Sequence, residues 1–221
     1  MSKIFFSPLV LIASLTVAAE PLVDRWAAAV GAREKLGSLK SVYREANIQV
    51  GNYQGTIKVW HTADGKYRKE EAIATLSNTE TFDGTKGMIK QNMMPARAMT
   101  ESELAITRSK RFSNWNAIFF VFFPERHHGS VIPQNDHTLT FKPDGGIDWQ
   151  VELDPKTWLP KSMTHDEAGR AITIVFDSYE TIGGLQFEKE IHRTGGEMIS
   201  AVRFTKTVIN PSIGPSLFTI Q

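Results

Sequence analysis

The chain of 221 residues sets 25 lysines and arginines against 24 aspartates and glutamates and contains no cysteine. Without thiols there can be no disulfide, no cysteine-bound metal, no thiol catalysis and no lipid-acceptor cysteine of a bacterial lipoprotein. A neutral chain without basic runs carries no electrostatic footprint for nucleic acid.

The first residues are those of an export signal. Lys3 supplies the positive charge, Ile4 to Val17 is apolar, and Val17-Ala18-Ala19 offers the small residues of a cleavage site before Glu20. The apolar run falls short of the roughly 20 residues a membrane-spanning helix needs. Residues 1–19 are therefore expected to be a signal peptide cleaved after Ala19. Residues 20–221 are expected to form one exported, periplasmic domain that is monomeric and not itself membrane-anchored.

Pro21 to Leu36 reads as an amphipathic helix, with Leu22, Trp26, Ala29, Val30 and Leu36 at three- and four-residue steps. Gly31 predicts a kink or a break within it. Ser41 to Val50 and Thr56 to His61 then read as strands around Gly51-Asn52-Tyr53-Gln54-Gly55. Asp64-Gly65 leads into Lys66 to Leu76, and Thr79 to Phe82 pairs with Gly87 to Gln91 across Asp83-Gly84. Thr100 with Glu103 forms a capping box opening a helix toward Arg111. From Ser113 the chain turns wholly apolar (Trp115, then Ala117 to Phe123), which suits a helix buried on every side. A buried strand is the rival reading, because aromatic residues favour strands. Arg126 to Gln134 reads as loop, and strands resume near His137.

From Gly145 onward the chain is strand and turn. Ile147 to Leu153, Ala171 to Asp177, Leu185 to His192 and Met198 to Ile209 are separated by Asp154-Pro155-Lys156, Gly183-Gly184 and Gly195-Gly196. Connections that short join antiparallel neighbours, giving a meander. About ten strands in one sheet must curl, into a closed barrel or a strongly curved open sheet with helices on its concave side.

Alternation within these strands marks an apolar face. Ile147, Trp149, Val151 and Leu153 lie on one side, as do Leu185, Phe187 and Ile191, and again Met198, Val202, Phe204 and Val208. A concave face so lined can be filled by the protein's own helices or by an apolar guest. The candidate ligand-binding residues are Trp60, Trp149, Val151, Phe187 and Phe204 on the wall, with Trp115, Ile118, Phe119 and Phe122 on a movable lid. Each is equally readable as plain core. Met88, Met93, Met94 and Met99 lie near the lid in sequence and adapt to varied apolar shapes.

Catalytic chemistry is missing from the pattern. The six histidines lack the i, i+4 spacing of a helical metal site, and there is no G-x-S-x-G elbow or phosphate-cradling loop before a helix. Carboxylate pairs such as Glu70 with Glu71, or Glu188 with Glu190, read as solvated strand faces. No catalytic residue, metal site or cofactor is expected.

Several segments resemble those of LolA/LolB-like outer-membrane lipoprotein-sorting proteins. They are Arg25-Trp26-Ala27-Ala28-Ala29-Val30-Gly31 with the strand near Ser41, Glu80-Thr81-Phe82-Asp83-Gly84 and Leu153-Asp154-Pro155-Lys156-Thr157-Trp158-Leu159-Pro160. Tyr179 through Phe187 and the ending Val208-Ile209-Asn210-Pro211 through Phe218 belong to the same pattern. As a divergent member, the chain would be mainly β (α+β): an incomplete antiparallel barrel of about 10–11 strands with helices packed on the concave side as a lid. The resemblance implies a carrier or sensor of lipid or lipoprotein acyl chains, with inner- or outer-membrane transport partners and no catalysis. It also implies a lid-closing arginine reaching helix carbonyls, for which Arg44 is the counterpart. The alternatives are a protein-interaction or regulatory module whose cavity is permanently filled by its own helix, and a hydrolase with scattered residues.

Overall fold

The structure, a computed structural model, describes residues 19–110, 118–123, 125–126, 128–167, 169–195 and 199–220. The expected first helix forms as α1 (Ala19–Val30), followed by the single turn α2 (Arg33–Gly37). The break falls at Gly31, where a Cβ would sit 2.5 Å from Leu185 Cδ2 and 3.1 Å from the Gly184 carbonyl oxygen. Only glycine lets the chain pass that close to the sheet.

Thirteen strands follow among the described residues. The first group is β1 (Ser41–Val50), β2 (Tyr53–Thr62), β3 (Tyr67–Ile73), β4 (Leu76–Phe82), β5 (Gly87–Gln91) and β6 (Arg97–Ala98). The helix α3 (Glu101–Ser109) separates them from β7 (Gly129–Asn135), β8 (Thr138–Pro143), β9 (Trp149–Leu153) and β10 (Pro160–Glu167). The last three are β11 (Arg170–Ile182), β12 (Leu185–Thr194) and β13 (Ser200–Ile209), and a short 3-10 turn covers Pro215–Phe218. The strands form one antiparallel sheet in the order β6-β5-β4-β3-β2-β1-β13-β12-β11-β10-β9-β8-β7. The chain thus runs outward from the centre to one edge and crosses through α3 to the other edge. It then meanders back to pair β13 with β1 over Val42–Val50.

The sheet is open and curved, not closed into a barrel, and its helices lie over the inner face. Register shifts in β1, β10 and β11 mark bulges that bend the strands. Both edges are blunted. β6 is two residues long, and β7 carries Pro133, which has no N–H to offer a neighbour.

Two elements differ from expectation. Lys66 to Leu76 is not one strand: the chain reverses at Ala74-Thr75, with Ala74 at φ 52°, so Leu76 opens β4. Arg126 to Gln134 is not all loop, because β7 occupies most of it. The Thr100 capping box is present, its hydroxyl accepting from Glu103 N while the Glu103 carboxylate accepts from Thr100 N at 2.7 Å. Ile118 to Phe120 is helical, and the residues before it, Trp115 among them, fall outside the described set.

Candidate functional site

The inner face is divided. Over one part the protein fills its own hollow: Trp26 of α1 meets the Phe122 ring edge-on at 5.1 Å and stacks on Phe141 of β8 at 5.9 Å. Ile118, Phe119, Phe120, Val121 and Phe122 are all buried there, with Phe119 and Phe122 at 0 % exposure. Arg33 of α2 donates to the Phe122 carbonyl at 3.2 Å and also pairs with Asp24 of α1, tying this segment to both N-terminal helices. Val151, Phe187 and Phe204 belong to the same closed core.

Over the other part, a cavity of about 430 Å³ remains between the sheet and α3. Its floor is apolar: Ile48 on β1, Ile57 on β2, Ile174 on β11, Ile191 on β12 and Val202 on β13. α3 can approach the sheet closely because of two glycines. A Cβ on Gly87 would lie 3.2 Å from Leu104 Cδ2 of α3 and 2.2 Å from Sδ of Met99 just before the helix, and one on Gly146 would lie 2.7 Å from Ser109 Oγ. Ser109 also accepts from Ile147 N at 2.6 Å, which fixes the C-terminal end of the helix to the turn before β9.

The cavity walls are charged, which periodicity alone did not reveal. On β3 and β4 the inward residues are Tyr67, Lys69, Glu71 and Glu80. Lys69 lies 3.0 Å from Glu71, and Lys110, just past α3, lies 2.9 Å from Glu80. Burial would raise the Glu80 pKa, but Lys110 and Lys69 outweigh it and hold the carboxyl at about 2. Burial likewise pulls the Lys69 pKa down, yet Glu80 and Glu71 leave it raised overall. Glu71, expected to be solvated, therefore points inward. On the facing wall His165 stacks on Trp149 at 4.0 Å, and Glu167 pairs with Arg193 at 2.7 Å. Burial lowers the His165 pKa, keeping the ring neutral. Its Nδ1 has no hydrogen-bond partner among the described residues. Nor do the described residues group three His, Asp or Glu side chains about a metal-sized point.

Of the residues singled out from the sequence, Trp149 lines this cavity; Ile118, Phe119, Phe122, Val151, Phe187 and Phe204 pack in the closed core instead. Trp60 faces the opposite side of the sheet from its neighbours Val59 and His61. There it stacks on Tyr43 at 4.7 Å, beside the C-terminal tail. The missed lining residues Lys69, Glu71 and Glu80 alternate in step with the buried Tyr67 and Phe82, and that was the available signal.

Arg44 departs most from expectation. It is fully buried on β1, donating Nη1 to Glu188 Oε2 at 2.7 Å, Nη2 to the Glu188 carbonyl, and Nε to Thr207 Oγ1 at 3.1 Å. Its guanidinium carbon lies 3.4 Å from the Phe204 ring centroid. Burial pulls its pKa down while Glu188 pulls it back up. Those hydrogen-bond partners all lie on β12 and β13, and none is a helix carbonyl, so the lid-closing role expected of Arg44 is not what this geometry provides. The reason lies in the sheet. β12 and β13 pair only over Glu190–Arg193, so the Glu188 carbonyl lies beyond the end of that ladder and Arg44 supplies a donor. Glu188, also expected to be solvated, is the buried counter-charge.

No family model and no curated protein sequence matches the chain. Solved structures do resemble it. A LolA superfamily protein from Nitrosomonas europaea has a TM-score of 0.59 at 11% identity, over 92% of this chain and 98% of that one. A DUF1329 family protein from Desulfovibrio piger has 0.58 at 10% identity, over 90% and 96%. A putative outer membrane lipoprotein-sorting protein domain from Vibrio parahaemolyticus has 0.52 at 8% identity, over 89% and 94%. The chain has the open, helix-covered sheet of these proteins.

Proposed function

We propose that the protein is a divergent LolA-like periplasmic carrier or sensor that shelters lipid acyl chains, without catalysing a reaction. The observation that carries this reading is the cavity over Ile48, Ile57, Ile174, Ile191 and Val202. Its volume of about 430 Å³ falls within the ~300–1,000 Å³ span of ligand pockets. The printed names of the LolA superfamily and lipoprotein-sorting neighbours support the class of cargo.

The charged walls refine it. Hydrocarbon on the isoleucine floor gains roughly 0.8 kcal/mol per buried methylene. Lys69, Glu71, Glu80, Glu167 and Arg193 keep a polar head in reach of both signs of charge. The guest is therefore an amphiphile lying tail-down, not a purely apolar molecule. The Phe-rich segment acts as permanent filling that leaves one compartment free.

Native mass spectrometry and organic extraction of the exported protein should recover bound lipid, and a fluorescent fatty acid should displace it. Ile174→Trp, which projects bulk into the cavity, should abolish uptake with the denaturation midpoint nearly unchanged. Protein that is always empty, or uptake indifferent to that substitution, rejects the proposal.

A further inference from the structure

In the β1–β6 half of the sheet the two ends of the strands differ in character. At one end lie the turns between β1 and β2, β3 and β4, and β5 and β6, with the turn between β12 and β13, whose sequence includes Glu197 with Arg193 just before it, beside them. They are neighbours in space, stitched by hydrogen bonds from Gly51 N to Ile199 O, Ala74 N to Gln54 O and Asn92 N to Ser77 O. Tyr53, Leu76, Met93, Met94 and Ile199 project from this line of tips, each more than half exposed and Met93 97 % exposed. The segments Asn47–Ile57, Ala72–Thr79 and Gln91–Ala96 contain no charged residue. At the other end of the same strands the turns carry Asp64 and Lys66, then Asp83 and Lys86.

We propose that this rim, through its three uncharged tips in the β1–β6 half, is a docking surface for a lipid bilayer. The projecting side chains are spread over four hairpin tips, with Met93 and Met94 sharing one, so together they offer points and no groove, which suits a soft fluid surface better than a shaped protein. Leaving water costs the three tips of the β1–β6 half little, because they bring no charged side chain with them. The methionines, flexible and unbranched, fit an irregular acyl boundary. The rim also meets the cavity: its lining residues Ser200, Asn78 and Gln91 lie within two positions of Ile199, Leu76 and Met93. Docking there would set the cavity against the membrane from which an amphiphile is taken or to which it is given. This purpose rests on the carrier reading; the docking itself does not.

The test is flotation of the exported protein, its N-terminus verified by mass spectrometry, with phosphatidylcholine vesicles. The wild type should float with the vesicles equally well in 0.1 M and 0.5 M NaCl. Met93→Ser/Met94→Ser should lower the partition coefficient at least tenfold, Leu76→Ser should lower it further, and Lys86→Ala on the charged end should leave it unchanged. Protein that does not float, floats only at low salt, or floats undiminished after the rim substitutions overturns the proposal. So does a rim-dependent dimer by sedimentation without vesicle binding, which would make a second copy the occupant. Fatty-acid uptake measured in parallel without vesicles separates the two readings. Docking without uptake sinks the carrier, and uptake without docking sinks the rim.

Discussion

Replacing Arg44 with methionine should be among the most damaging single changes in the molecule, and most of the damage should be electrostatic. The substitution keeps an apolar stem against Phe204 and Phe187 but leaves Glu188, whose side chain is only 9 % exposed, without its cation. Orphaning one member of a buried pair costs about 3–5 kcal/mol. The Glu188 carbonyl loses its donor as well. For about 200 residues, where 1 kcal/mol moves Tm by about 2–4 °C, the drop is roughly 6–20 °C. Arg44→Met/Glu188→Leu, which removes both charges, should recover most of that loss, because replacing a whole buried pair by apolar groups is often neutral. Urea denaturation of the single and double mutants measures both quantities. A single mutant within 1 kcal/mol of wild type, or a double mutant no better than the single, would refute the assigned role of the pair.

Glu80 gives a pH handle: held at about 2 in the folded state against 4.5 normally, it supports stability that is complete above about pH 4.5. That support, on the order of 3 kcal/mol, should be lost as pH falls toward 2, and Glu80→Gln should flatten the acid limb of the stability curve. His61 is fully buried and its pKa is driven well below 6.5, first by desolvation and then by Lys110 and Arg44. Below about pH 6.5 the unfolded chain gains a proton that the folded one refuses, so stability should fall there. The non-titrating His61→Phe should fall less, as thermal melts at pH 5 and 7.5 would show. Thr100→Ala breaks the capping box of α3 and should cost about 1 kcal/mol by urea denaturation. Phe122→Ala removes the ring facing Trp26 and should cost about 3–5 kcal/mol, with fatty-acid uptake retained by the folded fraction.

Much of the sheet was legible because its signals are local. Ser41–Val50 forms as read, since alternating burial against a helix leaves a period-two trace. The break at Gly31 and the Thr100 cap were visible for similar reasons. The reversal at Ala74-Thr75 was not, because it uses an alanine at positive φ and no Gly, Asn or Pro marker. β7 hid behind Gly129 and Pro133, which an edge strand tolerates and an inner one does not. The site was less legible than the fold. Whether an apolar inward residue meets a helix or a void depends on where α1 and Ile118–Phe122 come to rest, and no strand pattern encodes that. Glu71, a charged residue on the inner face, reads as solvated until the facing wall is known. Arg44 was noticed and given the wrong partner, because the gap between β12 and β13 is a property of the whole sheet.

The out-and-back path of the chain has a kinetic corollary. Every ladder joins consecutive strands except β1 with β13, whose partners Val42 and Ile209 stand at opposite ends of the sequence. Each wing can zip up from hairpins that close in microseconds, whereas the median suture must wait for both wings and pays nearly the whole loop-closure entropy of the polypeptide. Substitutions along that suture should slow refolding more than equally destabilising ones at the outer margins.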